Sequence, residues 1–114
     1  MTDSRLEDVL SFQFRAVGLT PERQYKFSPD RKYRADFAFP ERRLIVEVNG
    51  GTWMVKSGHN TGTGIIRDYE KANLAQMLGW TYLQFTGKEI YDGSAVKMVE
   101  DFMTLRCGTC GAEL

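Results

Sequence analysis

The sequence predicts an α/β fold in which a mixed four-stranded sheet is flanked by helices. Two observations support this fold class. Three stretches with strand-like alternation follow one another closely between residues 24 and 49, as in a hairpin meander. A helical stretch then separates the third strand from a fourth, and such a crossover makes the sheet mixed. The predicted order is αβββαβα, in one domain over residues 1–105 with a tail at 106–114.

The helices are predicted from apolar residues at helical spacing. The first covers residues 4–17, and its inner face is formed by Leu6, Val9, Leu10, Phe14 and Val17. Ser4 and Glu7 fit a capping box at its start. The second helix covers residues 65–78 and the third covers residues 95–105.

The strands are predicted over residues 24–28, 33–39, 44–49 and 80–85. The second strand alternates strictly, with Tyr33, Ala35, Phe37 and Phe39 on one face. Turn-forming residues at 29–32 and 40–42 join the first three strands. Residues 50–64 form a loop that holds five of the eleven glycines, and so long a loop in a small domain is usually functional.

The composition excludes several classes of protein. The chain of 114 residues carries 15 Lys and Arg against 15 Asp and Glu, so a protein that simply coats a polyanion is not expected. Its 42% apolar residues are enough for a core, and no apolar run is long enough to span a bilayer. No leader-like start is found, and two cysteines do not make a disulfide scaffold. A cytoplasmic, reducing setting is therefore expected.

Basic residues are concentrated between positions 23 and 43. Those of most interest for binding are Arg31, Lys32, Arg34 and Arg43. This concentration is typical either of a phosphate-binding surface or of the solvated ends of a hairpin, and charge alone leaves both interpretations open.

Two carboxylates on adjacent predicted strands are the most informative feature. Asp36 and Glu47 each interrupt an apolar stretch, where an ionised side chain is costly to desolvate unless something compensates its charge. A divalent cation would compensate both, since carboxylate, water and phosphate oxygens are the ligands that Mg²⁺ prefers. The alternative is that both acids pair with strand arginines such as Arg34 on an exposed face.

The run RADFAFPERRLIVEVNGG at 34–51 resembles the metal-binding hairpin of the PD-(D/E)XK nuclease superfamily. It is most similar to the branch of very-short-patch-repair endonucleases and small phage and prophage endonucleases. Two later runs agree with that branch: RDYEKANLAQMLGW at 67–80 is similar to its charged helix, and TYLQFT at 81–86 to its next strand. The resemblance covers roughly residues 4–90 and implies a restriction-endonuclease-like αβββαβ core.

The resemblance implies a role for each matching residue. Asp36 and Glu47 would bind Mg²⁺ or Mn²⁺, with the carbonyl of Val48 as a third protein ligand. The motif's lysine is replaced by Asn49, which can position water but carries no charge. In this branch the lysine can come from the following helix, where Lys71 is the matching residue. The alternative is that Lys71 is an ordinary surface lysine.

Other candidates come from the same resemblance. Glu7 is similar to the first-helix acid that holds a metal-bound water or a second ion, although its place in a capping box is a structural alternative. His59 would act as general base or acid near the scissile phosphate, unless it is an exposed loop residue. The residues expected to contact nucleic acid are Arg31, Lys32, Arg34, Arg43, Trp53, Lys56 and Arg67. For Trp53 the alternative is a cap on the core.

Cys107 and Cys110 form a CxxC pair similar to half of a zinc ribbon. Two thiolates do not complete a zinc site, so binding would need a site shared by two chains. A redox pair is a second alternative, and a pair without metal is the favoured interpretation.

These features predict a metal-dependent DNA endonuclease that hydrolyses phosphodiester bonds. It is expected to nick DNA or to be directed by DNA structure, and to be of the phage, prophage or repair type. One alternative is a non-catalytic nucleic-acid-binding relative, which the missing motif lysine supports. Another is an adaptor centred on the cysteine pair. Because many relatives act as dimers, a homodimer is also expected.

Overall fold

The structure is a computed structural model that describes residues 4–29, 32–49 and 62–112. Its elements are α1 (Ser4–Ala16), β1 (Glu22–Lys26), β2 (Arg34–Phe39), a 3₁₀ turn (Pro40–Arg42), β3 (Leu44–Val48), α2 (Gly62–Met77), β4 (Thr81–Phe85), α3 (Gly87–Tyr91) and α4 (Ser94–Ala112). Within these ranges, no helix combines the length and the apolar character needed to cross a membrane.

The four strands form one mixed sheet in the order β1-β2-β3-β4. The neighbours β1 and β2, and then β2 and β3, are antiparallel because short connections join them. β4 returns parallel to β3 after the crossover that contains α2. The predicted α/β class, with a mixed four-stranded sheet flanked by helices, is therefore confirmed.

Helices pack on both faces of the sheet. On one face, α1, α3 and α4 cover a core of large apolar side chains, formed by Leu10, Phe14, Phe37, Leu44, Val46, Ile90 and Val99 among others. Phe14 packs edge-on against Phe37 and Phe39, with ring centroids 5.3 and 5.4 Å apart. On the other face a smaller cluster joins Ile45 and Trp80 to Ala75 of α2. The buried acidic residues Glu7, Asp36 and Glu47 form the centre of the site described below.

The structure corrects several predicted details. β1 begins at Glu22, two residues before the predicted start. The strict alternation of β2 is wrong at Ala35, which packs in the cluster on the α2 face and not with Phe37. A short helix, α3, was not predicted, although Thr86 and Glu89 form a capping box at its start. α4 continues through Ala112, beyond the predicted end of the third helix at residue 105, and the division into a domain and a tail stays a prediction.

Candidate functional site

Asp36 lies where regular strand pairing is interrupted on both of its sides. The pairing of β2 with β3 ends at Phe37 opposite Val46, and Asp36 directly precedes Phe37 in the chain. On the other side, the β1–β2 pairing leaves out Gln24, the residue that stands opposite Asp36. The φ of Gln24 is 50°. Buried backbone groups outside a ladder need other hydrogen-bond partners, so polar side chains are expected at this point.

The side-chain carboxylates of Asp36 and Glu47 each accept a hydrogen bond from a backbone N–H of the other strand. Glu47 Oε2 accepts a hydrogen bond from the Asp36 backbone N–H at 3.1 Å, and Asp36 Oδ2 accepts one from the Val48 N–H at 2.8 Å. Asp36 is 6% exposed and Glu47 is 7% exposed. The alternative that places both acids on an exposed face is therefore wrong. Their mutual bonding fixes the two carboxylates side by side at the end of the β2–β3 pair.

Lys71 joins this pair from α2, which crosses the face of the sheet that carries Glu47. Its Nζ lies 3.0 Å from Glu47 Oε1, and its side chain is only 16% exposed. Lys71 is therefore not an ordinary surface lysine. The helix that follows the hairpin brings an ammonium group to the carboxylates, at the place where the sequence predicts the substitute for the motif lysine.

Glu7 brings a third carboxylate from α1. Its Oε1 accepts hydrogen bonds from the guanidinium of Arg23 at 3.2 Å and from the side-chain amide of Gln24 at 3.5 Å. Glu7 is 5% exposed, and the Arg23 guanidinium also lies 5.0 Å from the centre of the Phe37 ring. The hydrogen bonds of Glu7 join α1 to β1, whereas a capping box would lie within α1 itself. The side chain of Ser4, the partner in the predicted capping box, lies outside the described part of the chain.

The three acids share an environment that disfavours their negative charge. Burial raises the pKa of Glu47 to about 7, and the attraction of Lys71 opposes that rise while the charge of Asp36 adds to it. Burial also raises the pKa of Asp36, against the hydrogen bond from Val48 and the charge of Lys71. The pKa of Glu7 is raised by burial and by the charge of Asp36. An added cation would offset this repulsion.

The arrangement fits a hard divalent cation in its donor chemistry. Within residues 4–29, 32–49 and 62–112, no group of three or more His, Cys, Asp or Glu side chains could hold a metal ion by itself. Asp36 and Glu47 would therefore supply two protein ligands, and a main-chain carbonyl, water or phosphate would complete the coordination. The Val48 N–H is bound to Asp36, and the role of its carbonyl stays a prediction.

No protein-family model matches this sequence, and no curated protein matches it either. Among solved structures, the chain is similar to the catalytic domain of the homing endonuclease I-Bth0305I, with a TM-score of 0.66. The two share 16% sequence identity, and the match covers 88% of this chain and 94% of that one. The chain therefore has the fold of an endonuclease catalytic domain.

Asn49, at the position of the motif lysine, turns towards β4. Its Nδ2 donates to Gln84 Oε1 at 2.8 Å, and its backbone N–H donates to the Phe85 carbonyl at 2.8 Å. Gln84 is paired with Glu47 in the parallel register, so the two side chains lie on the same face of adjacent strands. Asn49 is thus held at the border of the site by an amide pair.

The residues predicted to contact nucleic acid are in several places. Lys32, just before β2, and Arg34, the first residue of β2, are both exposed. Arg34 Nη1 donates to the Gln24 carbonyl at 3.4 Å. Arg43 lies at the other end of β3 from Glu47, where its guanidinium stacks 4.5 Å from the Trp80 ring and donates to the Leu78 carbonyl. Packing thus accounts for Arg43, and its use on nucleic acid stays a prediction.

The remaining predicted residues fall outside what the structure describes. Positions Arg31, Trp53, Lys56 and His59 lie in the segments between the described ranges. Arg67 belongs to α2, and Cys107 and Cys110 belong to α4, but nothing is described of their side chains. Their predicted roles, including a shared zinc site, stay predictions.

Sequence reasoning missed three residues that touch the site: Arg23, Gln24 and Gln84. The signal for Gln24 and Arg23 was hairpin register, since a strand beginning at residue 22 places them opposite Asp36 and Phe37. The predicted start at 24 hid that relation. For Gln84, parallel pairing of the strands that carry Glu47 and Gln84 was the available signal.

Proposed function

We propose that this protein is a metal-dependent endonuclease that hydrolyses phosphodiester bonds in DNA. The observation that carries the proposal is the buried Asp36–Glu47 pair, bound across the end of two strands with Lys71 Nζ 3.0 Å from Glu47. Support comes from the fold, which this chain has in common with a homing endonuclease catalytic domain. That neighbour is an endonuclease by name, and DNA is the substrate class that we infer for this chain.

Asp36 and Glu47 are the residues that would hold Mg²⁺ or Mn²⁺, with the Val48 carbonyl as a third protein ligand. Their burial fits this task, because it raises the pKa of both carboxyls and so leaves them in need of a compensating positive charge. A bound ion of this kind would polarise the scissile phosphate and lower the pKa of its water.

Lys71 would offset the negative charge that develops on the phosphate during attack. Its ammonium is positioned by Glu47, and its side chain is largely shielded from solvent. A fixed charge in a dry site stabilises a transition state more than one in water. The Glu7 carboxylate would accept a hydrogen bond from a water at the site. His59 would supply a general base or acid from the loop, and Asn49 would position water beside Gln84.

Lys32 and Arg34 are exposed, four and two residues before Asp36 in the chain, and would hold the flanking DNA backbone electrostatically. Recognition of a long sequence needs many base contacts in a groove, and a domain of this size offers few elements for them. We therefore expect a nicking or structure-directed enzyme of the phage, prophage or repair type, which would act as a monomer or as a homodimer.

A non-catalytic nucleic-acid-binding protein is the second candidate. Asn49 favours it, since the motif lysine is missing from β3 and the amide that replaces it is bound to Gln84. Both candidate proteins are expected to bind nucleic acid, but only the endonuclease is expected to cleave it. One set of binding and cleavage assays therefore separates them.

The test uses supercoiled, nicked, branched and single-stranded DNA with Mg²⁺, with Mn²⁺ and with EDTA. Cleavage with the ions alone is expected. Asp36→Asn and Glu47→Gln should reduce it to background, because each amide oxygen can keep the backbone hydrogen bond but loses the charge. Lys71→Met should lower the cleavage rate about 100- to 1,000-fold.

The control is Lys97→Met, which removes an exposed lysine that pairs with Asp101 on α4. It should cleave at the parental rate. Full activity of Asp36→Asn, or cleavage that persists in EDTA, would contradict the proposed metal site. Binding of branched DNA without any cleavage would favour the second candidate.

A further inference from the structure

Gln24 has a backbone conformation that glutamine rarely adopts. It lies in the middle of β1, and its φ of 50° is in the left-handed region. Glycine enters this region without strain, and asparagine enters it more easily than other residues. The glutamine at this position therefore points to a need for its side chain, since the backbone alone would favour a different residue.

The surrounding strands hold this conformation in place. Arg23 pairs with Phe37 on one side of Gln24, and Tyr25 pairs with Ala35 on the other. The Gln24 carbonyl accepts a hydrogen bond from Arg34 Nη1 at 3.4 Å. The interruption of the ladder is thus confined to one residue of β1, the one that faces Asp36.

The side-chain amide of Gln24 reaches two acids of the site. Its Nε2 donates to Glu7 Oε1 at 3.5 Å. Gln24 also stands opposite Asp36 in the β1–β2 register, and a hydrogen bond from its side chain opposes the rise of the Asp36 pKa. A primary amide has two N–H donors, enough for two carboxylates, and it brings no charge. Arg23 also contacts Glu7, but its positive charge partly neutralises that acid.

We propose that Gln24 is a positioning residue, which holds Glu7 and Asp36 at a fixed separation without cancelling their negative charge. This inference rests on the proposed function, because the acid pair has a use only if a cation and a phosphate bind there. A glutamine spans the gap from β1 to both acids. An asparagine in the same backbone conformation is one methylene shorter and would not.

The test compares Gln24→Asn and Gln24→Gly with the parental protein. Both substitutions suit the left-handed backbone, so the melting temperature should stay the same or rise. Mn²⁺ alone is the probe of the acids, and its affinity, followed by electron paramagnetic resonance, should fall about 10-fold. The single-turnover rate on DNA should fall 10- to 100-fold while DNA binding changes less than threefold.

Two more variants sharpen the comparison. Gln24→Glu keeps the length of the side chain but replaces its donors with a further negative charge, so it should cleave more slowly than Gln24→Asn. Gln76→Asn makes the same shortening at an exposed position of α2 and should match the parental protein in every measurement.

Mn²⁺ affinity separates this proposal from the proposed function. Weaker Mn²⁺ binding by Gln24→Asn supports the positioning role even in a protein that cleaves no DNA. Unchanged Mn²⁺ affinity, a loss of activity that follows a loss of stability, or a parental protein that binds no Mn²⁺ would each overturn it.

Discussion

Replacing Glu47 with glutamine should change how the stability of the protein depends on pH. The pKa of Glu47 is about 7 in the folded protein, against a reference value of 4.5. The folded state therefore binds this proton more tightly than the unfolded state does. The contribution of Glu47 to stability is greatest when its carboxyl is protonated. This contribution begins to fall as the pH rises above about 4.5, and it is lost above about 7.

The size of the effect follows from the shift. One pKa unit corresponds to about 1.4 kcal/mol, so ionising the buried Glu47 costs about 3 kcal/mol in total. Between pH 5 and pH 8 this term should remove about 2–3 kcal/mol from the free energy of unfolding. Glu47→Gln has no such term. The attraction between Glu47 and Lys71 is already contained in the shifted pKa of Glu47, so it is not counted a second time.

The assay is urea unfolding followed by circular dichroism at pH 5 and pH 8, with EDTA in every sample. From pH 5 to pH 8, the parental protein should lose about 2–3 kcal/mol more than Glu47→Gln does. Glu22→Gln, which removes a solvated carboxylate from β1, should behave like the parental protein. If Glu47→Gln and the parental protein lose the same stability, the burial argument for Glu47 is refuted. In a separate series without EDTA, Mg²⁺ at pH 8 should stabilise only proteins that keep Glu47.

Three further predictions concern the rest of the molecule. Arg43→Met should lower the free energy of unfolding in urea by about 1–2 kcal/mol, because it removes the contacts of Arg43 with Trp80 and Leu78. Thr86→Ala should cost about 1 kcal/mol by thermal melting, because it removes the cap of α3. His59→Ala should slow single-turnover cleavage far more than it weakens binding, and should abolish the decline in activity as pH falls through the histidine range.

The sequence carried a strong signal where burial and charge conflict. Asp36 and Glu47 interrupt strands that are otherwise apolar, and this conflict could be read without coordinates. The closeness of Lys71 to Glu47 needed the crossover helix to be placed on the correct face. The resemblance supplied that placement, which spacing along the chain does not contain.

The parts that could not be predicted have weak or local signals. β1 is exposed along most of its length, so it has no apolar pattern to fix its start, and the prediction was displaced by two residues. The conformation of Gln24 depends on neighbours from another strand, so its own residue type predicts nothing about it. The five residues of α3 are too few for helical periodicity, although the Thr86–Glu89 spacing was a usable signal.

The origin of the site in four separate elements has a consequence for folding kinetics. Glu7 lies near Asp36 and Lys71 contacts Glu47, and more than half of the chain separates Glu7 from Lys71 in sequence. Contacts between residues so distant form late, because long loops must close before they can be made. A chain emerging from the ribosome would therefore carry the acids without their lysine. The complete set of side chains would be assembled only in the native state, so the cleavage that we propose would report on correct folding.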